Sequence, residues 1–401
     1  MTSVLVTGAS VAGPAVASLL ARQGLDVTVV ERADSLRQGG QNIDVRGTGR
    51  EVLRRMGLED AVRARNTGEV GTRFVDESGS TVSEIPVDLG ENDGPTAELE
   101  ILRGALSQVL VDDCPDTVAW CFGTHVTDVV ETDDGTQVTF SDDSTGRFDV
   151  VVVAEGVGSA TRELVMGEVE QVELGMYSAY GTIPRTDVDD DWWRVLVAPG
   201  SRQAALRPDD EGTTRANLNF LADGPELAGL GPAQQRARLR ERFEGVGWEV
   251  PRILDGFDAG DDLYVDWLRQ VRAPRWHEGD VCLLGDAAWC VTPVGGGGAS
   301  LALVGAYVLA AFLSSSDRSR DGLHDAFAQY EDWMRPLVDE AQDLPRGVPR
   351  LAAPRTRLGV QAFRLGARAA GLSPVRRAAQ KITGGPQAGR ELPPFPPADG
   401  F

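Results

Sequence analysis

The stretch GDVCLLGDAAWCVTPVGGGGASLAL, Gly279 to Leu303, decides how this chain folds. Val281 to Leu284 is a short apolar run of the kind that is buried as a strand, and it ends on Gly285-Asp286-Ala287-Ala288. A turn at Pro293, four consecutive glycines (Gly295 to Gly298) and an apolar helix follow. Four glycines cost backbone entropy and add no packing, so they predict that something approaches that backbone closely. A floppy strand-to-helix loop is the bland alternative, and a second pattern at the N-terminus argues against it.

That second pattern opens the chain. Val4-Leu5-Val6 reads as a buried strand, Gly8-Ala9-Ser10-Val11-Ala12-Gly13 as a glycine turn, and Ala15 to Gln23 as a helix stopped by Gly24. Val27 to Val30 reads as a second strand ending on Glu31, which completes a βαβ unit. Gly8 permits the tight turn, the helix start offers N–H groups to a pyrophosphate, and Gly13 permits close helix–strand packing. Glu31, placed to accept hydrogen bonds from ribose hydroxyls, favours an adenosine diphosphate moiety without a 2′-phosphate. Ser10 stands where the fingerprint usually has its middle glycine; its hydroxyl is able to donate to phosphate instead.

Composition narrows the function classes. A net charge of −22 argues against nucleic acid and against anionic membrane as partners. The tail from Pro345 carries ten basic and two acidic residues, which leaves about −30 on the remainder and predicts a basic C-terminal helix docked on an acidic body. Lys381 is the only lysine, which excludes several lysine-dependent chemistries. The four cysteines form no CxxC pair and no secretory signal precedes them, so a cytoplasmic location is expected. Three scattered histidines predict no metal site. Ala299 to Leu313 is the most apolar run and is too short to span a bilayer, so it is expected as a buried helix without stable membrane insertion.

Between the two glycine motifs the chain changes character twice. Helices are expected over Thr48 to Met56 and Glu98 to Leu110, a hairpin over Thr72 to Val87, and strands over Val118 to Asp128 and Thr136 to Phe140. Phe148 to Val153 is a β-branched run without alternation, as in a strand covered on both faces, and it ends at Glu155-Gly156 with Ser159 and Arg162 beyond. From Leu174 to Arg269 short alternating segments separated by turns predict an antiparallel sheet, with a helix over Pro232 to Phe243. After Leu303 the chain reads as helical to about Ala341, then again from Thr356 to Ala370, and Glu391 to Phe401 read as mobile.

GASVAG with Glu31, AEGVGSATR at 154–162 and GDAA with its glycine run together resemble the three fingerprints of the class A flavoprotein monooxygenases, the para-hydroxybenzoate hydroxylase-like family. GGQNIDVRGTGREVLRRMGL is similar to the matching loop and helix of its tetracycline-inactivating and polyketide-tailoring members. The resemblance implies an α/β fold: a Rossmann-like FAD-binding domain (GR2-type) at 1–71, 95–173 and 270–340, an inserted antiparallel β-sheet substrate domain at 72–94 and 174–269, and C-terminal helices in a tail at 341–401. It implies FAD held by Gly8, Ser10, Val11, Ala12, Gly13, Glu31, Arg32, Arg46, Arg103, Val126, Glu155, Gly156, Asp286, Pro293, Gly296, Gly297, Gly298 and Ala299. Arg103 is the expected flavin contact, Asp286 the ribityl acceptor, and Arg46, Pro293 and Gly296 the residues beside the reactive ring. A helix starting near Ala299 would aim its positive end at the flavin pyrimidine.

The implied activity is insertion of one oxygen atom from O2 into a bulky aromatic or polyketide-like molecule, as in antibiotic biosynthesis, through a flavin C4a-hydroperoxide and with NAD(P)H as co-substrate. The protein is expected as a monomer or homodimer. Candidate substrate contacts are Tyr177, Tyr180, Trp193 and Asn217 on the β-rich lobe and Trp289 beside GDAA, although aromatic residues in strands more often pack the core. The family's middle fingerprint carries Asp-Gly where this chain has Glu155-Gly156, which leaves nicotinamide preference open. A short-chain dehydrogenase needs a Tyr-x-x-x-Lys pair, and Arg377 stands four residues before Lys381. A flavin halogenase needs an active-site lysine and a Trp-x-Trp-x-x-Pro motif that Trp192-Trp193 does not supply. A non-catalytic flavin- or drug-binding protein is the remaining alternative.

Overall fold

The computed structural model describes residues 1–37, 39–87, 99–291, 297–343, 353–370 and 390–396. A six-stranded sheet runs in the order His277–Glu278, Val281–Leu283, Val150–Val153, Ser3–Thr7, Asp26–Glu31, Ala119–Phe122, parallel except for the first pair. Its central strands lack polar alternation because both faces are covered: all four valines of Val150–Val153 are 0% exposed. Burying a valine fully is worth roughly 1.5–3 kcal/mol, so this run anchors the domain. The helices Ala12–Arg22 and Gly298–Ser315 pack on one another beside this sheet, and Arg320–Gln342 packs on the latter. A three-stranded sheet, Val126–Thr132, Gly135–Phe140 and Thr145–Phe148, is appended to the same core through Val138 and Phe140.

By length and composition Gly298–Ser315 is apolar enough to cross a membrane, yet 67% of it is buried inside the protein. Gly297 caps its start at φ +78°, a left-handed conformation that favours glycine.

The second lobe is a seven-stranded sheet in the order Tyr264–Arg272, Glu170–Pro184, Thr213–Leu221, Arg202–Pro208, Trp192–Ala198, Gly71–Val75, Thr81–Pro86. It is antiparallel apart from the Trp192–Ala198 and Gly71–Val75 pair. One face buries Tyr177, Ala179, Leu218, Phe220 and Trp267 under the helices Pro232–Arg242 and Val250–Ala259. The C-terminal helix Arg357–Ala370 sets Val360 and Phe363 against Val195, Val197 and Ala205 on the other face.

Several expectations are corrected. Glu98 to Leu110 is not one helix: Glu100–Leu102 is a strand paired with Asn42–Asp44, and the helix starts at Arg103. Cross-strand pairing overrides helical spacing there. Val118 to Asp128 divides between two sheets, as Ala119–Phe122 and Val126–Thr132. The lobe boundary at Arg269 falls inside the strand Tyr264–Arg272. Residues 390–396 are held rather than mobile: Leu392 is 4% exposed, Phe395 packs on Tyr307 at 5.2 Å, and Arg390 lies over Trp333.

Candidate functional site

Three segments far apart in sequence converge at the carboxyl ends of the parallel strands. A Cβ on Gly13 would lie 1.9 Å from the Gly8 carbonyl oxygen, and one on Gly8 (φ +101°) would lie 2.5 Å from the Ala154 carbonyl oxygen. Glycine is therefore required where the first motif folds back on itself and meets the second. A Cβ on Gly285 would sit 3.2 Å from the Ala12 Cβ, which brings the third motif against the first. Arg162, 0% exposed, joins the second to the third by donating from Nη1 to the carbonyls of Val157 and Ala287, each at 3.1 Å.

The first motif presents a helix start. Val11 precedes Ala12–Arg22 and no side chain caps it, so its first amides take no side-chain partner. Glu31 accepts from the amides of Ala9 and Ala33, both at 2.9 Å, which fixes its carboxylate at the end of its strand. Arg32 beside it is exposed. The chain passes Glu31 again through Thr124, whose amide donates to the Glu31 carbonyl at 3.0 Å, and reaches Val126, 3% exposed.

The second motif serves the architecture. Glu155 accepts from the Ser159 hydroxyl (2.7 Å) and from the Thr161 hydroxyl (2.6 Å) and amide (3.2 Å), so its carboxylate ties down the start of the helix Ala160–Met166. Gly156 turns beside it at φ +83°.

The third motif carries the charge. Asp286 is exposed to solvent although its chain neighbours are buried and protein crowds around it, as on the wall of a cleft. Burial pushes its carboxyl up to about 6, with Arg103 opposing and Asp266 adding to the rise. Arg103 is itself held below the usual arginine range by burial, and its Nε has no hydrogen-bond partner among the described residues. Arg103 is placed by its amide, which donates to the Gln41 carbonyl at 3.0 Å, and by Gly104, whose amide donates to Gly39 at 2.7 Å. Arg46 donates its amide to Ser300 Oγ at 2.9 Å and turns its guanidinium to Asp44 at 2.9 Å. Gly297, Gly298 and Ala299 open the buried helix, while Pro293 and Gly296 lie outside the described residues.

Opposite these motifs stands the polar face of the seven-stranded sheet. One row across it reads Tyr264, Tyr180, Asn217, Ala205, Val195; the next reads Asp266, Ser178, Asn219, Gln203, Val197. Ser178 Oγ donates to Asn219 at 2.5 Å and accepts from Asn217 Nδ2 at 2.9 Å. At the end of that face Arg207 donates to Glu69 at 2.7 Å, pairs with Glu100 at 2.6 Å and lies over the Trp193 ring at 4.3 Å. Asn42 donates to Glu100 at 2.7 Å and to the Pro208 carbonyl at 3.1 Å, so this cluster bolts the strand before Arg103 to the sheet. Burial holds the Glu100 carboxyl well above the usual range despite Arg207.

Of the candidate substrate contacts, Tyr180, Asn217 and Trp193 lie on this face. Tyr177 does not: three positions from Tyr180 on one strand, it points to the core, where its hydroxyl accepts from the Leu227 amide at 2.8 Å. Trp289, 1% exposed, is packed at 4.5 Å from Trp276 and 6.0 Å from Tyr330 and belongs to the core. Arg207, Tyr264 and Asp266 emerge only from the structure, as do the carbonyl partners of Arg162, the residue that ends the second motif. The alternation of Val265 and Trp267 with Tyr264 and Asp266 is the signal that would have found those two.

The family described as FAD binding domain matches residues 1–341. A flavin-dependent monooxygenase of Phoma sp (eupH) is 36% identical over 389 residues, 90% of either chain. An FAD-dependent monooxygenase of Sarocladium schorii (asL4) is 32% identical over 365 residues, 85% of either chain. Among solved structures, the tetracycline destructase Tet(51) superposes with a TM-score of 0.82 at 28% identity, over 98% of this chain and all of that one.

Proposed function

The chain belongs to the FAD binding domain family and is a flavin-dependent monooxygenase, and from that premise we propose that it consumes NAD(P)H and O2 to oxygenate a bulky aromatic or polycyclic, polyketide-like small molecule. The residues present fit an FAD. The uncapped start of Ala12–Arg22 suits a pyrophosphate, Glu31 suits a ribose, and Asp286 with the unpartnered Arg103 Nε suits the ribityl chain and ring edge. When bound, FAD supplies the redox and oxygen-transfer chemistry.

The protein's part is to orient and to enclose. Arg162, itself fully buried, fixes the carbonyl of Ala287 next to Asp286 and so helps to position the ribityl acceptor. The N-terminus of Gly298–Ser315 directs partial positive charge toward the same cleft. On the far wall Tyr180 and Asn217 offer hydrogen bonds, and beyond them the C-terminal helix covers Val195, Val197 and Ala205, which bounds that wall. The observation that carries the substrate class is the row of Tyr264, Tyr180 and Asn217 facing the flavin motifs, aromatic rings with hydrogen-bonding ends that suit a large ring system with polar substituents. The likeness to a tetracycline destructase supports the same reading. Four unpaired cysteines support a reducing, cytoplasmic setting, and a monomer or homodimer is the assembly proposed.

The test is NAD(P)H oxidation by the FAD-loaded protein with a panel of polycyclic phenols, followed by mass spectrometry. Stimulated oxidation with one added oxygen atom in the product supports the proposal. Oxidation that no aromatic compound stimulates overturns it in favour of a different substrate class.

A further inference from the structure

Electrophilic oxygen transfer to a hydroxylated ring is fastest when that hydroxyl has lost its proton, so a base on the cleft wall has a task to perform. Most carboxylates near the cleft are already committed. Glu31 holds the amides of Ala9 and Ala33, Glu155 holds Ser159 and Thr161, and Asp209 holds Arg215 and Thr213. Glu69 and Glu100 hold Arg207, Asp44 pairs with Arg46, and Asp286 faces Arg103.

Asp266 differs from all of these. It stands on Tyr264–Arg272 directly across from Ser178, half-buried, while its neighbours Val265 and Trp267 turn to the opposite, core side. It is the single acid in the two rows that face the cleft. The Trp267 amide bonds its carboxyl, and no side chain among the described residues donates to it. Tyr264 lies two positions away on the same face, with Tyr180 paired to Tyr264 on the adjacent strand.

We propose that Asp266 is the proton acceptor for an ionisable ring hydroxyl of the substrate, an inference that rests on the substrate class proposed above. In this step the substrate O–H bond breaks, the proton passes to a carboxylate oxygen of Asp266, and the electron pair stays on the substrate oxygen. Negative charge moves from the carboxylate to the ring, and nothing is oxidised or reduced. Tyr180 and Tyr264, both held in the neutral form by burial, are hydrogen-bond donors on the same face for the oxyanion that results. Burial holds the Asp266 carboxyl above the ordinary aspartate range against the pull of Arg269, which brings it closer in strength to the hydroxyl it deprotonates. The ionisable groups around it are Arg269 and Tyr264 on its own strand, Tyr180 on the next, and Asp286 from the third motif.

The experiment uses the FAD-loaded enzyme with naphthol, anthrol and emodin, each beside its O-methyl ether. Asp266→Asn is expected to keep FAD and to leave KM within about twofold while kcat for the phenol falls about 100-fold, the scale of a lost general base. Its remaining rate should climb with pH as the phenol ionises in solution, whereas the wild type levels off. Asp266→Glu should recover part of kcat, and NAD(P)H oxidation stimulated by the methyl ethers should not change. A variant with wild-type kcat and pH profile overturns the inference, and so does one that loses FAD or loses methyl-ether stimulation in parallel. Failure of the wild type to oxygenate any of the phenols overturns the substrate class itself, and this inference with it.

Discussion

Replacing Arg207 by methionine should destabilise the protein sharply at neutral pH and much less in mild acid. The guanidinium stands between two carboxylates whose side chains are 0% (Glu69) and 1% (Glu100) exposed, with Asp44 also close enough to raise its charge affinity. Burial works against the Arg207 charge, but those acids outweigh it and hold it above the usual arginine range. Methionine fills the space and leaves the carboxylates buried without their cation. Breaking a buried pair from one side costs about 3–5 kcal/mol, because the surviving charge is uncompensated. For 401 residues unfolding together, an unfolding entropy of ~0.8 kcal/mol/K converts that cost to a Tm loss of roughly 4–6 °C. The pH dependence follows from Glu100. Its folded pKa is raised, so its stabilising contribution is complete below the unfolded value and is lost as pH rises through the folded one. Removing Arg207, which pulls that pKa down, widens the window, so the variant's deficit should shrink as pH falls toward about 5. Urea unfolding of both proteins at two pH values measures this, with Arg207→Met/Glu100→Gln expected to recover part of the loss. A deficit below about 1 kcal/mol at neutral pH, the scale of an exposed ion pair, would refute the reasoning.

Other consequences are equally open to measurement. Gly13→Ala places a Cβ 1.9 Å from the Gly8 oxygen, so the purified variant should carry little or no flavin; normal flavin absorbance per protein would contradict the steric argument. Tyr177→Phe should cost about 1 kcal/mol of stability through the lost Leu227 bond and leave kcat/KM alone, whereas Tyr180→Phe should do the reverse. The opposite pattern would exchange the two faces of the sheet. Asp286, pushed up to about 6, stabilises the FAD-free protein fully below its unfolded pKa and loses that contribution as pH rises through the folded value. Asp286→Asn should remove this slope from unfolding curves of the FAD-free protein, and a slope equal to the wild type's would assign it to another group.

Much of the cofactor half was legible because steric necessity writes glycine into the chain. Gly8 and Gly13 have no room for a Cβ, and Val150–Val153 shows its double burial as an unbroken β-branched run. The substrate half was less legible for a geometric reason. Which parity of a strand faces the cleft depends on what covers the sheet, so Tyr177 and Tyr180 looked alike until the helices over Tyr177 were in place. Asp266 was hidden for the same reason. Glu100–Leu102 runs straight into the helical spacing of Arg103, Leu106 and Leu110 with no turn signal between, and only its pairing with Asn42–Asp44 makes it a strand. Trp289 sits in the core because Gly305 leaves its ring space, a contact between residues 16 apart on two different helices that no local pattern announces.

If FAD is held in the cleft between Asp286 and the polar sheet face, the FAD affinity of Asp286→Ala must fall. A charged acceptor contributes about 1.5–3 kcal/mol to such a contact, so fluorescence titration of the FAD-free variant should give a Kd roughly 10- to 150-fold above the wild type. An unchanged Kd together with an unchanged bound-flavin spectrum would mean that FAD is held elsewhere.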